Sequence, residues 1–405
     1  MKISLVTHSF LPDSVGGRES YVYNLAEGLG RRGHEVKVFT CANGLFQRTY
    51  LKSYDHFTAY YFPTFNLHLG IATYRISWAM CAGLVGDDAD IIHAHDLHHF
   101  TTLIASVAAS LRRKPLIVTE HGYPPLRGLV NWIMMTYEHA IIPLINRSCA
   151  RIIAISKFIA RELIGKYHVN PRKIVTVPNA IDPSQYVNSG RNFSEDYSLR
   201  TKRLILAVGR QTEVKGFQFL IEAFARISDE YPDTMLVLVG PRTPYSINLH
   251  NLASTLKLEG RVLFTGPLAF EEVVSAISSA EMVVIPSLYE PFGIIGLEAL
   301  CCKTPVIASK VGGLSEIFED HYNGFLVEPG NESELRDRMC MLLNDGHTCQ
   351  KFRRNSQATL RKFDWNRFVE SMEEIYRDQI ASKVDATREL PQTSPTIRPL
   401  MDRDT

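Results

Sequence analysis

Short runs of aliphatic and β-branched residues alternate with helix-length amphipathic segments along almost the whole chain. In the first half these runs include residues 3–6, 35–40 and 116–119, and segments with helical periodicity at 19–32 and 98–112 lie between them. Parallel strands joined by crossover helices produce this alternation, and strands covered on both faces are apolar throughout. The sequence therefore predicts an α/β protein built from doubly wound parallel sheets.

The alternation is interrupted near the middle of the chain. Residues 178–183 read Pro-Asn-Ala-Ile-Asp-Pro and are followed by an aperiodic polar stretch, which together predict a hinge and a linker. The alternation then restarts, and 405 residues suffice for two domains. We predict an N-terminal domain at 1–180, a C-terminal domain at 181–363, a closing helix at 364–380 and a mobile, proline-containing tail at 381–405. Facing α/β domains leave a cleft at the carboxyl ends of their strands, where ligands bind.

Charge and cysteine usage exclude several classes of protein. With 44 Lys and Arg against 43 Asp and Glu, the formal charge of +1 gives no field to attract nucleic acid. The seven cysteines form no CxxC pair, and the first residues lack the long apolar run of a signal peptide. We expect reduced thiols, a cytoplasmic location, no spanning helix, and any anionic ligand held by a local site.

The strongest local motif covers residues 287–300 and begins directly after a predicted strand. Pro291 suits a first helical position and Gly293 permits close approach to the backbone, so free amide groups at the helix start can bind an anion. Glu290 lies at the helix mouth, where it can meet a reacting group, while Glu298 lies about two turns further on and can accept hydrogen bonds from a polyol. The alternative is that Glu290 caps the helix and Glu298 is solvated.

Two further loops follow predicted strands. Arg210 offers a planar fork and Lys215 a compact charge, a combination suited to a diphosphate, although two basic residues in a loop are also typical of a solvated surface. Gly16 and Gly17 precede the first helix and allow phosphate or sugar oxygens to approach the backbone. A tight turn explains the glycine pair equally well.

In combination these motifs resemble the retaining glycosyltransferase family 4 of the GT-B fold, over about residues 1–379. Further matches are Arg-Gly-His-Glu-Val at 32–36 and Val-Gly-Gly-Leu-Ser-Glu at 311–316. The resemblance implies two Rossmann-like domains facing a cleft, with a closing helix that crosses back onto the first domain. It also implies that Glu298 binds ribose, that Glu290 and His121 act on the transferred sugar, and that the donor diphosphate lies against Arg210, Lys215, Gly16, Gly17, Phe292, Gly293 and Ile294.

The activity implied by this resemblance is hexosyl transfer with retention, from a nucleoside-diphosphate sugar to a hydroxyl acceptor such as a glycan, a lipid-linked glycan precursor or a small molecule. Basic side chains and a helix end would neutralise the diphosphate, so we expect neither a metal ion nor a cofactor. Two other functions remain open on the same fold. One is a non-catalytic sensor of nucleotide sugars, and the other is a nucleotide-sugar epimerase.

Two segments leave other interpretations open. His93, His95, Asp96, His98 and His99 offer ligand types that zinc prefers, which would suit a metal-dependent hydrolase, although the family tolerates such residues as an acceptor-side wall. The sequence predicts an unusually apolar helix at residues 126–145, which includes Trp132 and Met135. Core packing is the default for that helix, and weak peripheral contact with a membrane or with a lipid-linked acceptor is the alternative.

Overall fold

The structure is a computed structural model that describes residues 1–13, 16–42, 48–69, 72–123, 128–187, 190–199 and 202–388. Two separate parallel sheets form its framework. The strands of the first half, in chain order from β1 to β10, are Lys2–Val6, Glu35–Cys41, Tyr50–Ser53, Thr58–Phe62, Phe65–Leu69, Ala72–Ile76, Ile91–His95, Leu116–Glu120, Arg151–Ala154 and Ile174–Thr176.

The N-terminal sheet has the order β10-β9-β8-β7-β1-β2-β4-β3. All neighbours are parallel except β3, which pairs with β4 in antiparallel fashion at the edge. The strands β5 and β6 form a separate hairpin. Because the chain proceeds outward from β1 in one direction and then returns to β7 on its other side, the sheet has a topological switch point between β1 and β7, where α/β proteins bind ligands.

The C-terminal sheet repeats this plan with strands β11 to β16. Its order, β13-β12-β11-β14-β15-β16, is entirely parallel and places a second switch point between β11 and β14. This strand order is that of the doubly wound dinucleotide-binding fold. The strands are Arg203–Val208, Thr234–Val239, Val262–Gly266, Ala280–Ile285, Val306–Ser309 and Phe325–Val327.

Helices cover the sheets and supply most of the connections between strands. The helices α1 to α14 are Gly17–Arg31, Trp78–Gly86, Phe100–Arg112, Gly128–Ser148, Lys157–Gly165, Phe193–Asp196, Phe217–Ala225, Ser246–Thr255, Phe270–Ser279, Ile294–Cys301, Leu314–Ile317, Glu332–Asn344, Gly346–Leu360 and Trp365–Arg388. Single turns of 3₁₀ helix occupy Pro171–Lys173, Pro183–Tyr186, Glu213–Lys215 and Arg361–Phe363.

The last helix, α14, crosses back onto the N-terminal domain. Its apolar face, which includes Phe368, Met372 and Tyr376, is buried in the core of the first domain. On the outside, the Glu373 carboxylate lies 2.7 Å from His34 Nε2. The crossover helix implied by the family resemblance is thus present.

The end of α14 differs from the prediction. The sequence predicts a closing helix that ends at residue 380 and a mobile tail from residue 381, but the helix continues to Arg388. Residues 381–388 contain no proline or glycine that would stop a helix, and the first such residue is Pro391. The remainder of the predicted tail, 389–405, lies outside the described residues.

Strands are present at the apolar runs 3–6, 35–40 and 116–119, whereas the sequence does not predict β3, β4, β5 or β6. Each residue of β3 is exposed, and only alternate positions of the first part of β4 are buried, so neither strand shows a continuous apolar run. β3 is the edge strand of the sheet, whereas β4 lies between β2 and β3. Strands that are solvated on a face carry a weak sequence signal, because they lack the continuous apolar run of a strand buried on both faces.

Candidate active site

A cavity of about 1540 Å³ lies in the cleft between the two domains. Loops that follow β1 and β8 form one wall, and loops that follow β11 and β14 form the other. The topology therefore places the cavity at the switch points of both sheets. Seven of the ten predicted site residues line it, namely Gly16, Gly17, Arg210, Lys215, Glu290, Ile294 and Glu298.

An ion pair stands at the centre of the C-terminal wall. Lys215 Nζ donates to Glu290 Oε2 over 2.7 Å, and the Ser287 hydroxyl donates to the same oxygen over 3.1 Å. Glu290 is only 8% exposed, so its carboxylate depends on these two donors. Arg210 lines the same wall, is exposed, and makes no ion pair with any residue that the structure describes. A cation held by a carboxylate and a second, unpaired cation are thus available to an anionic ligand.

Gly216 brings the Lys215 loop against the loop that follows β14. Its φ angle of +68° lies in the left-handed region, and a Cβ atom there would approach the Pro286 carbonyl oxygen to 1.9 Å. The close approach is completed by Leu288 N–H, which donates to the Val214 carbonyl over 2.8 Å. Only glycine fits both the conformation and the space at this position, so the Lys-Gly pair in the sequence has a direct structural reason.

Two glycines after β15 pack against the backbone of Glu290. A Cβ atom at Gly312 would lie 1.9 Å from the Glu290 carbonyl oxygen, and Gly313 N–H donates to that same oxygen over 3.0 Å. This contact holds the Glu290 loop in place from below. It also explains structurally the Gly-Gly pair of the motif at 311–316.

The helix α10 begins where the Glu290 loop ends, but the loop residues do not all reach the cavity. Gly293 caps the helix with φ +95°, and a Cβ there would come within 2.5 Å of Leu314 Cδ2. The Phe292 ring is buried and packs against Phe363, with ring centroids 5.8 Å apart. Of the three predicted contacts at the helix start, Ile294 lines the cavity, whereas Phe292 and Gly293 are not among its lining residues.

Glu298 lies deeper along α10 and faces the cavity. Burial raises the pKa of its carboxyl group to about 7, and the Tyr186 hydroxyl, which donates to Oε1 over 3.3 Å, opposes the shift. Tyr186 belongs to the 3₁₀ turn Pro183–Tyr186 that follows the hinge, and it also lines the cavity. Tyr186 cannot be predicted as a site residue from the sequence, because an aromatic residue near a linker carries no distinctive signal.

The two walls of the cavity come close together where Gly16 and Gly17 face the start of α10. Gly17 begins α1, and a Cβ atom built on it would lie 3.9 Å from Ile294 Cγ2 in the opposite domain. Gly16 is extended, and a Cβ there would meet the Glu19 carboxylate at 2.8 Å. The absence of side chains at these two positions keeps the space between the two domains narrow but open.

Arg18 fixes the floor of the N-terminal wall. Its Nη1 atom donates to Asp96 Oδ2 and to His99 Nε2, each over 2.7 Å, and Nη2 donates to the Ser9 hydroxyl over 2.9 Å. Although burial opposes ionisation, the Arg18 charge holds the pKa of Asp96 well below its usual range. Asp96 Oδ1 in turn accepts the backbone N–H of His121 over 3.0 Å. This network ties the loop after β7 to the loop after β8.

His121 lies at the end of β8, directly before two cavity-lining residues, Gly122 and Tyr123. Its ring packs edge-on against Tyr21, with centroids 4.7 Å apart, and its Nε2 atom lies 3.1 Å from His95 Nδ1. Burial lowers the pKa of His121, so the ring is neutral near pH 7.

The histidines proposed as metal ligands are bound to separate partners. His93 is hydrogen-bonded to the Tyr376 hydroxyl and to Thr119, each over 2.7 Å. His98 lies between two carboxylates, Glu120 at 3.4 Å and Glu138 at 3.0 Å. Burial opposes its charge, but these carboxylates raise the pKa of His98 to about 10. Among the described residues no three metal-ligating side chains converge.

The apolar helix predicted at 126–145 corresponds to α4, which runs from Gly128 to Ser148, while residues 126 and 127 lie outside the described part. Its second half packs into the core through Ile142 and Ile145. Trp132 and Met135, however, are 66% and 42% exposed, so core packing does not explain them. In the portion of the chain that the structure describes, no helix is both long enough and apolar enough to cross a membrane.

Two facing Rossmann-like domains, a ligand-sized cleft between them and a terminal crossover helix define the GT-B class of fold. Comparison with known proteins agrees. Residues 15–185 match Glycosyltransferase Family 4, and residues 191–359 match Glycosyl transferases group 1. The chain therefore belongs to the family of glycosyltransferases that these two models describe together.

Two relatives in Methanocaldococcus jannaschii are uncharacterized glycosyltransferases. MJ1607 is 29% identical, with 93% of this chain and 98% of the relative covered. MJ1178 is 30% identical, with 71% and 75% covered. Among solved structures, that of Anabaena HepE in complex with UDP and glucose aligns with a TM-score of 0.77 and 24% identity, covering 93% of this chain and 99% of HepE.

Proposed function

We propose that this chain is a retaining glycosyltransferase that moves a hexosyl group from a nucleoside-diphosphate sugar to a hydroxyl acceptor. The observation that carries the proposal is that both domains line the same cavity. Arg210, Lys215, Glu290 and Glu298 lie on one wall, and the Gly16–Gly17 pair lies on the other. HepE, which has a similar fold, binds UDP and glucose. The acceptor we propose is a glycan, a lipid-linked glycan precursor or a small molecule.

The donor would bind mainly to the C-terminal wall. Arg210 and Lys215 would contact the diphosphate together with the amide groups at the start of α10, which we include because Ile294 lines the cavity there. Glu298, which lies further along α10, would accept hydrogen bonds from ribose hydroxyls. Glu290 would contact the transferred sugar, since its carboxylate is fixed beside Lys215 at 2.7 Å.

The Lys215–Glu290 pair suits a reaction in which charge develops on the leaving diphosphate. As the glycosidic bond breaks, the phosphate oxygens become more negative, and a cation that is already fixed can stabilise them without reorganisation. We propose that these side chains make a divalent ion unnecessary. The acceptor would approach from the N-terminal wall, and its proton would pass to the leaving phosphate on the same face, as the family resemblance implies.

The exposed apolar residues of α4 support a second, peripheral role. Trp132 is 66% exposed and Met135 42% exposed, and both are on the outer surface of the N-terminal domain. We propose weak, reversible contact of this helix with a membrane surface or a lipid-linked acceptor. Co-sedimentation with anionic vesicles tests it, with Trp132→Ser as the variant that should lose binding.

A screen of nucleoside diphosphates and their sugars by thermal shift tests the proposed donor. A ligand at 100 times its Kd adds about 2.7 kcal/mol to the free energy of unfolding. We expect stabilisation of the wild type by one nucleotide series and a weaker effect on Lys215→Ala. Product analysis with the donor that binds then separates the alternatives, because a sensor leaves the donor intact and an epimerase changes the sugar without an acceptor. Absence of binding by every nucleotide would contradict the proposal.

A further inference from the structure

Two histidines of the N-terminal domain, beside the hydrogen-bond network of Arg18 and Asp96, are in direct contact with each other. His95, at the end of β7, is completely buried, and His121 is only partly buried. Their rings meet through His95 Nδ1 and His121 Nε2 at 3.1 Å. The His95 ring is packed between His93 and Tyr21, with ring centroids 4.5 Å and 5.7 Å away. One of the two rings must donate the hydrogen in this contact, and the other must accept it.

The surroundings of the second His95 nitrogen decide which ring donates. Burial holds the pKa of His95 well below its usual range and also lowers that of His121, so both rings are neutral and each carries one N–H. His95 Nε2 is buried and has no hydrogen-bond partner among the described residues. If His121 donated, this Nε2 atom would carry the hydrogen. A buried N–H without an acceptor is rarer and more costly than an unused lone pair, so His95 donates from Nδ1.

We propose that His95 is a positioning residue that holds His121 as the Nδ1–H tautomer, and that this N–H donates to a ligand oxygen where His121 adjoins the cavity-lining residues Gly122 and Tyr123. Its role in sugar transfer rests on the function proposed above. His121 Nε2 accepts from His95, and within the part of the chain that the structure describes His121 Nδ1 makes no hydrogen bond. The backbone N–H of His121 donates to Asp96 and its ring makes a T-shaped contact with Tyr21, so both the backbone and the ring of His121 are held by neighbouring residues.

This arrangement assigns His121 a specific chemical task. A neutral Nδ1–H can donate to a hydroxyl or ring oxygen of the sugar and hold it in place, but it cannot remove a proton from the acceptor. The charged groups nearest to His121 in sequence and space are Asp96, Arg18, Glu120 and Glu19, and none of them replaces His95 as the partner of Nε2. A hydrogen-bond donor, and not a general base, is what the described contacts provide.

The ring nitrogens can be observed directly by ¹⁵N NMR of histidine-labelled protein, because protonated and unprotonated ring nitrogens differ strongly in shift. His95→Asn and His121→Asn assign the two rings by loss of signal. We expect both rings to carry their hydrogen on Nδ1. A His121 ring with its hydrogen on Nε2 would overturn the proposal. This measurement needs no substrate, so it stands even if the proposed transfer activity is absent.

A matched pair of variants tests the functional consequence. Asn and Leu have nearly the same shape, but only the Asn amide can replace the Nδ1–H donor of His95. We expect His95→Leu to lower kcat at least about tenfold and His95→Asn to lower it no more than about threefold. At position 121, His121→Asn, whose amide reaches the Nδ1 position, should retain more activity than His121→Gln.

Equal losses in His95→Leu and His95→Asn would show that His95 only fills space, and would overturn the proposal. If His95→Leu fails to fold, the NMR measurement on the wild type still decides the tautomer. If the wild type itself transfers no sugar, the proposed function fails, while the tautomer assignment is confirmed or refuted by NMR alone.

Discussion

Replacing Lys215 by alanine is the perturbation with the clearest expected effect. Its ammonium group donates to Glu290 Oε2 over 2.7 Å and lines the cavity, where we propose that it also meets the leaving diphosphate. A hydrogen bond to a charged group contributes about 1.5 to 3 kcal/mol, which corresponds to roughly a ten- to 150-fold change in rate. Because the phosphate gains charge only as the sugar leaves, Lys215→Ala should lower kcat more than it raises the donor KM.

The ion pair requires a control, because Lys215→Ala also leaves the buried Glu290 carboxylate without its main partner. The double variant Lys215→Ala/Glu290→Gln removes that unpaired charge and should restore stability in thermal denaturation. Because we propose that Glu290 contacts the transferred sugar, the kcat of Glu290→Gln alone is the reference for the double variant. Lys215→Arg should recover only part of the activity, because the planar guanidinium group does not replace the compact ammonium group at the same depth. Steady-state kinetics with the donor identified by thermal shift measures both parameters. A change below about threefold in both would refute the diphosphate assignment.

Three further outcomes are expected. Burial raises the pKa of Glu298 to about 7, so this carboxylate becomes protonated in the free protein as the pH falls through 7. The donor KM should therefore rise as the pH is lowered from about 8 to about 6. Glu298→Gln should abolish this pH dependence in kinetic pH profiles. Gly216→Ala forces a Cβ atom to within 1.9 Å of a carbonyl oxygen and should lower the free energy of unfolding by about 1 to 3 kcal/mol or more, whereas Gly33→Ala, which has φ +82° but nothing within 4 Å, should cost only about 1 kcal/mol in the same thermal denaturation series. Turnover should persist in excess chelator, and loss of activity that zinc or manganese restores would revive a metal site.

The buried strands of the two sheets and the loops that follow them were predictable, because these strands appear in the sequence as apolar runs and the loops contain glycines at characteristic positions. The Lys-Gly pair at 215–216 is an example, since its glycine is required by the left-handed φ angle and by the Pro286 carbonyl. Glu290 and Glu298 were selected from their spacing on one helix start, and both line the cavity. Local sequence therefore indicates a functional loop when the backbone itself is constrained.

Contacts between distant segments could not be predicted in this way. Tyr186 reaches Glu298 across 112 positions of sequence, and Tyr376 reaches His93 across 283. The family resemblance implies that Phe292 lies at the diphosphate site, and this stays a prediction, but the packing of its ring on Phe363 could not be predicted from the motif. Such pairings depend on where the chain crosses back, and a residue's own neighbours in sequence do not encode that.

The central claim is transfer with retention, and the anomeric configuration of the product tests it most directly. The donor that stabilises the protein is incubated with candidate hydroxyl acceptors, and the new glycosidic bond is analysed by proton NMR coupling constants. From an α-configured nucleotide sugar we predict an α-linked product that forms roughly ten- to 150-fold more slowly with Lys215→Ala. A β-linked product would contradict retention, and a donor that stays intact with every acceptor would contradict transfer itself.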